Sequence, residues 1–191
     1  MVLGDSITAG FGLDDPDAAY PAVLQKKINA AGLNYTVVNA GVSGDTTAGG
    51  LRRVAWALKP GGDVLVIALG GNDGLRGLSP EQTSTNLTGI IAAARKQIPG
   101  ITILVAGMQM PANLGEDYVT KFRAVFPTVA TETHATLIPF LLEGVGGDPK
   151  LNQADQIHPT AEGQKKVAET VWKVLEPALR TPSQPAAATK P

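Results

Sequence analysis

Three residues of this chain, Ser6, Asp155 and His158, are of the types that together transfer acyl groups. A serine hydroxyl attacks a carbonyl only when a base takes its proton, an acid holds that base in one tautomer, and donors meet the developing oxyanion. Ser6 stands in Gly4-Asp5-Ser6-Ile7-Thr8-Ala9-Gly10, directly after the apolar run Met1-Val2-Leu3. A strand that ends in glycine and then presents a serine puts the hydroxyl at the strand's carboxyl end, where open α/β sheets build their clefts. Gly-Asp-Ser is also an ordinary turn composition, so the tripeptide alone is a weak signal. Asp155 precedes His158 by three residues in Asp155-Gln156-Ile157-His158-Pro159. In a tight turn that spacing brings the carboxylate under one imidazole nitrogen and leaves the other to face Ser6. His158 is then general base and afterwards general acid, and Asp155 holds its tautomer. The same segment also reads as a helix start, with Thr160 as N-cap and Pro159 stiffening the approach. His134 has no acid beside it in a turn and is expected to be structural.

The elements that must position these residues follow from periodicity. Tyr20, Val23, Leu24, Ile28 and Ala31 fall at helical spacing before Gly32, and the β-branched stretch 35–38 reads as a second strand running into Asn39-Ala40-Gly41. Leu51, Val54 and Leu58 mark a helix closed by Pro60-Gly61-Gly62, and the continuous apolar run 64–69 has the pattern of a strand buried on both faces. Ser79, Pro80 and Gln82 announce the best-marked helix, with Leu87, Ile90, Ile91 and Ala94 on one face. A fourth strand is expected over 101–106. A helix carrying Tyr118, Phe122, Val125 and Phe126 follows, which Pro127 should kink or divide. A short fifth strand at 135–138, a long loop at 139–159 and a last helix with Val167, Val171, Leu175 and Leu179 complete the order. Residues 1–180 are expected to form one α/β domain, and the Pro-, Ala- and Thr-rich stretch 181–191 a disordered tail.

Alternating strands and helices predict a parallel sheet covered on both faces, with all strands opening on the same edge. Ser6 follows the first strand, Gly41 the second and Asn72 the third, so three polar loops converge there. The backbone N–H groups of Ser6 and Gly41 and the Asn72 side-chain amide are the expected oxyanion donors. Asp5, Asp45 and Asp73 lie in the same loops and read as carboxylates bonded to nearby backbone rather than as metal ligands. Candidates for an acyl pocket, drawn from the loops after strands three to five, are Leu75, Met108, Met110, Leu141, Leu142 and Ile157. The glycines around Leu75-Arg76 suggest a loop that closes over bound acyl chains.

Composition narrows the alternatives. The chain has 191 residues, a formal charge of −1, two histidines and no cysteine. Disulfides, thiolate metal sites and a cysteine nucleophile are thereby excluded, and there is no basic field for nucleic acid. Neither Gly-x-Gly-x-x-Gly nor a Walker lysine loop occurs, which removes the usual support for a nucleotide site. No apolar run is long enough for a membrane helix, so no stable membrane insertion is expected. The chain starts inside its expected first strand, so no signal peptide is expected within it. The three residues before Gly4 are few for a central strand of the usual five or so, so a leader or part of the strand is expected to be missing.

Gly4-Asp5-Ser6, Gly41 within Asn39-Ala40-Gly41-Val42-Ser43-Gly44, Gly70-Gly71-Asn72-Asp73 and Asp155-Gln156-Ile157-His158-Pro159 together resemble the four motif blocks of the SGNH, or GDSL, hydrolases, in order, over about residues 1 to 179. The resemblance implies a three-layer flavodoxin-like fold with a five-stranded parallel sheet of order 2-1-3-4-5. It also implies Ser6, Gly41, Asn72 and His158 as the name-giving residues, with Asp155 completing a triad. Gly71-Asn72-Asp73-Gly74-Leu75-Arg76-Gly77, Met108-Gln109-Met110-Pro111-Ala112-Asn113 and Leu151-Asn152-Gln153-Ala154-Asp155 resemble the bacterial thioesterase I, lysophospholipase and arylesterase branch. That branch implies small acyl ester or thioester substrates and a periplasmic or secreted setting. Gln156 departs from it, standing where many relatives have glycine. The expectation is a carboxylic ester hydrolase without metal or other cofactor, monomeric or weakly oligomeric. A carbohydrate acetyl esterase and a non-catalytic ligand-binding protein on the same fold are the alternatives.

Overall fold

The computed structural model describes residues 1–181. The strands β1 (Val2–Gly4), β2 (Asn39–Gly41), β3 (Val64–Ala68), β4 (Thr102–Ala106) and β5 (Thr136–Ile138) form a parallel sheet in the order β2-β1-β3-β4-β5. Helices α1 (Ser6–Ala9), α2 (Tyr20–Ala30), α3 (Thr47–Ala57), α4 (Gly71–Leu75), α5 (Pro80–Gln97), α6 (Glu116–Thr133) and α7 (Ala161–Arg180) lie between and after the strands. This is the anticipated α/β sheet order. The central strands are buried through Leu3, Leu65, Ile67, Leu104 and Val105, each sealed from solvent. Full burial of one such side chain stabilises by about 1.5–3 kcal/mol. Helix starts follow local chemistry: Ser79 Oγ accepts the Gln82 N–H at the head of α5, and Thr160 Oγ1 accepts the Gly163 N–H at the head of α7.

One strand is displaced from the sequence reading. The second strand lies at Asn39–Gly41 instead of 35–38, with Asn39 aligned with Val2 of β1. The preceding backbone is satisfied elsewhere: Gln25 Oε1 accepts the Val37 N–H and Gln25 Nε2 donates to Tyr35 O. Pro127 sits inside α6 without dividing it. His134 ends that helix at φ 53, where its N–H bonds Thr131 O, so it sits at the amino end of β5 and away from the carboxyl edge of the sheet. Except for Thr181, which follows α7 directly, the expected disordered tail lies outside the described residues.

Candidate active site

The turn out of β1 places Ser6 at the first position of α1. Asp5 caps this helix by accepting the Ile7 N–H on Oδ1 at 3.0 Å. Gly4 is required at the turn, since a Cβ there would collide with the Thr8 side chain. Across the cleft, the loop before α7 is folded back on itself by an antiparallel bridge between Asn152 and Pro159 and by the Gln153 N–H bonding His158 O at 2.7 Å. Within that loop Asp155 Oδ1 accepts the N–H groups of Ile157 and His158, and Asp155 Oδ2 lies 2.6 Å from His158 Nδ1. His158 Nε2 is 2.9 Å from Ser6 Oγ. An unbroken hydrogen-bond chain thus runs from Asp155 through His158 to Ser6. Gln156 takes φ 59 to make the turn, a left-handed conformation that glycine adopts without penalty.

Two carboxyl groups here are perturbed in opposite directions. The backbone N–H of His158, then its imidazole and the N–H of Ile157, hold Asp155 down at about 2. Burial pushes Asp5 up to about 6, partly opposed by the Ile7 N–H and by His158. The remaining loop aspartates also have protein partners. Asp45 accepts Arg53 Nε at 2.7 Å, and Asp73 accepts the N–H and hydroxyl of Thr47. Among the described residues no three His, Asp or Glu side chains gather closely enough to hold a metal ion.

The depression over Ser6, of about 270 Å³, is lined by Asp5, Ile7, Phe11, Ser43, Gly44, Gly71, Asn72, Leu75, Ile157 and His158. Gly41 is not part of it. It pairs with Gly4 inside β2, and its N–H, an expected oxyanion donor, bonds Asn39 Oδ1 at 2.9 Å. Gly44 has φ 78 and an N–H without a partner among the described residues, and its carbonyl is held by Arg76 Nη2 at 2.9 Å. Asn72 Nδ2 donates to Asp45 O at 2.9 Å, which leaves its second amide proton uncommitted. The Ser6 N–H, at the head of α1, has no intrahelical partner.

A second, mostly apolar groove of about 330 Å³ adjoins the first and shares Ile7, Gly71, Leu75 and Ile157 with it. Of the anticipated pocket residues, Leu75, Met108, Met110, Leu142 and Ile157 line this groove. Leu141 does not. Its N–H bonds Gly107 O and its side chain is wholly buried in the core, so the neighbouring Phe140 and Leu142 face the groove instead. Sequence reasoning also passed over Phe11, whose ring lies 4.7 Å from the His158 ring, centroid to centroid. Its only signal was an aromatic residue between Gly10 and Gly12 in the loop after α1.

Residues 2–166 match the GDSL-like Lipase/Acylhydrolase family. The chain is 45% identical over 182 residues to esterase TesA of Pseudomonas aeruginosa, covering 94% of this chain and 88% of that protein. It is 37% identical over 180 residues to thioesterase 1/protease 1/lysophospholipase L1 of Escherichia coli, covering 94% and 84%. An arylesterase of Vibrio mimicus is 34% identical over 176 residues, covering 92% and 86%. The solved structure of TesA aligns with a TM-score of 0.88 over 92% of this chain and 97% of that one. No helix among the described residues is long and apolar enough to cross a membrane. The chain belongs to the GDSL-like lipase/acylhydrolase family and is a carboxylic ester hydrolase.

Proposed function

We propose that the chain hydrolyses acyl esters and thioesters through a covalent acyl-enzyme on Ser6, without a metal ion. The observation that carries this reading is the hydrogen-bond chain from Asp155 through His158 to Ser6. Ser6 Oγ attacks the carbonyl carbon while His158 Nε2 takes its proton. The tetrahedral oxyanion is met by the N–H groups of Ser6 and Gly44 and by Asn72 Nδ2. His158 then returns the proton to the leaving oxygen or sulfur as its bond to carbon breaks. Water, activated by the same imidazole, attacks the acyl-serine and releases the acid, which restores Ser6. Asp155 remains ionised throughout, in keeping with its depressed pKa of about 2. The acyl chain lies in the groove of Met108, Met110, Phe140 and Leu142, and its length range is set there.

The test is hydrolysis of a graded series of acyl esters and acyl-CoA thioesters by wild type and Ser6→Ala, with a chelator present throughout. Turnover by wild type together with a loss of several orders of magnitude in Ser6→Ala is the expected result. Activity retained by Ser6→Ala, or abolished by the chelator and restored by Mg²⁺, overturns the reading. Turnover that favours acetylated sugar over longer acyl thioesters moves the substrate class to a carbohydrate acetyl esterase.

A further inference from the structure

Phe11 is a large apolar side chain that the fold leaves 51% exposed while tying down its backbone. Its N–H bonds Ser6 O at 3.0 Å, and its carbonyl accepts Gln153 Nε2 at 2.8 Å. Gln153 Nε2 also donates to Pro159 O, and the Gln153 N–H bonds His158 O. The loop that carries Phe11 is thereby tied both to the serine turn and to the histidine loop. The ring lies against His158 at an interplanar angle of 43° and lines the depression over Ser6, but not the apolar groove beside it.

The reaction geometry decides what meets this ring. In the acylation step the proton on His158 Nε2 passes to the leaving oxygen, so the leaving group must lie beside the imidazole. The acyl chain occupies the Met108 and Met110 groove, and the oxyanion lies against Gly44 and Asn72. Of the residues that line the depression, Phe11 is the one whose ring lies against the imidazole. We propose that Phe11 forms a leaving-group subsite which accepts planar aromatic alcohols by stacking, and so sets a preference for aryl over alkyl esters. The assignment rests on the serine mechanism proposed above. The bond broken is the acyl carbon to aryl oxygen bond. The acyl group goes to Ser6 Oγ, and the serine proton, carried by His158, leaves on the phenol.

An alternative role for Phe11 is to shield and orient His158, which would affect every substrate alike. Phenyl, naphthyl, benzyl and ethyl esters of one acid, tested on wild type, Phe11→Ala and Phe11→Leu, separate the two. Stacking of one aromatic pair predicts that the aryl-to-ethyl ratio of kcat/KM falls about three- to tenfold in Phe11→Ala. Phe11→Leu, which keeps apolar bulk but no ring, should show most of the same fall. The acyl chain-length profile at a fixed leaving group should keep its shape in both variants. An equal fall for all leaving groups, or a changed chain-length profile, overturns the subsite. Ser6→Ala is run beside them: if it retains activity the serine mechanism itself fails, whereas an inactive Ser6→Ala with an unchanged aryl-to-ethyl ratio in the Phe11 variants refutes only the subsite.

Discussion

At the scale of single residues, Asn72 is the side chain whose loss should fall most purely on chemistry. One amide proton is committed to Asp45 O, and the other is available to the cleft. Asn72→Ala is expected to lower kcat by about 10²–10³, with a smaller change in KM, because the interaction grows as negative charge develops on the substrate oxygen. Steady-state kinetics on one short-chain ester checks this; a loss confined to KM would place Asn72 in ground-state binding instead. The Asp155–His158 pairing is legible in the sequence because the two lie three residues apart and the turn between them is local. Which backbone N–H groups of the loop after β2 stay unbonded is not. Gly41 and Gly44 occupy one loop, and which N–H remains available depends on where β2 begins and on the Asn39 side chain capturing the Gly41 N–H. A Cβ at Gly41 would run into the backbone of Thr8 and Ala9, so close packing alone requires a glycine there. Leu141 shows the same limit, since nothing in the order Phe140-Leu141-Leu142 says which side chains turn inward after β5.

At the scale of elements, the cleft is assembled by polar ties between segments far apart in the chain. Arg53 of α3 donates from Nη2 to Gly4 O, just before the serine turn, and from Nε to Asp45 Oδ2, just after Gly44. The Asp45 carbonyl in turn holds Asn72, and the Val42 N–H returns to Gly4 O. One guanidinium therefore sets the distance between the nucleophile turn and the loop that faces it. Arg53→Met is expected to lower stability by about 1–3 kcal/mol, because Asp45 is left partly buried without its partner. Kinetically, kcat should fall more than KM rises, and Arg53→Lys should recover only part of the loss, since an ammonium cannot reproduce the two-pronged contact. Urea denaturation and kinetics on the same preparations measure both; full activity in Arg53→Met would show that the loops hold their places unaided. Strand order and helix starts are legible because apolar periodicity and capping residues are local signals. The displacement of β2 is not, because residues 35–37 find partners in the Gln25 side chain of α2, a long-range contact that local pattern does not reveal.

At the scale of the whole molecule, the site opposes the stability of the fold that carries it. Asp5 is buried beneath the cleft with its pKa raised from an ordinary 3.8 to about 6. Between those values the folded chain keeps a proton that the unfolded chain has lost, so this group's contribution to stability declines as pH rises through about 6. The gap corresponds to about 3 kcal/mol, withheld from the fold at neutral and higher pH. Asp155 acts in the other direction. Its folded pKa of about 2 gives a contribution that is complete above the ordinary carboxylate range and is lost as pH falls through about 2. These two groups together favour the mildly acidic range. Asp5→Asn keeps an oxygen to cap α1 and removes the buried charge. Its unfolding free energy should exceed wild type by up to about 3 kcal/mol at pH 8 and match it near pH 4. The same substitution should reduce turnover at pH 8, because an ionised Asp5 favours the imidazolium that forms when His158 takes the serine proton. Denaturant melts at the two pH values, paired with ester hydrolysis at pH 8, decide the matter. An equal stability change at both pH values would mean that Asp5 acts through packing alone, and stabilisation without loss of turnover would separate its charge from catalysis.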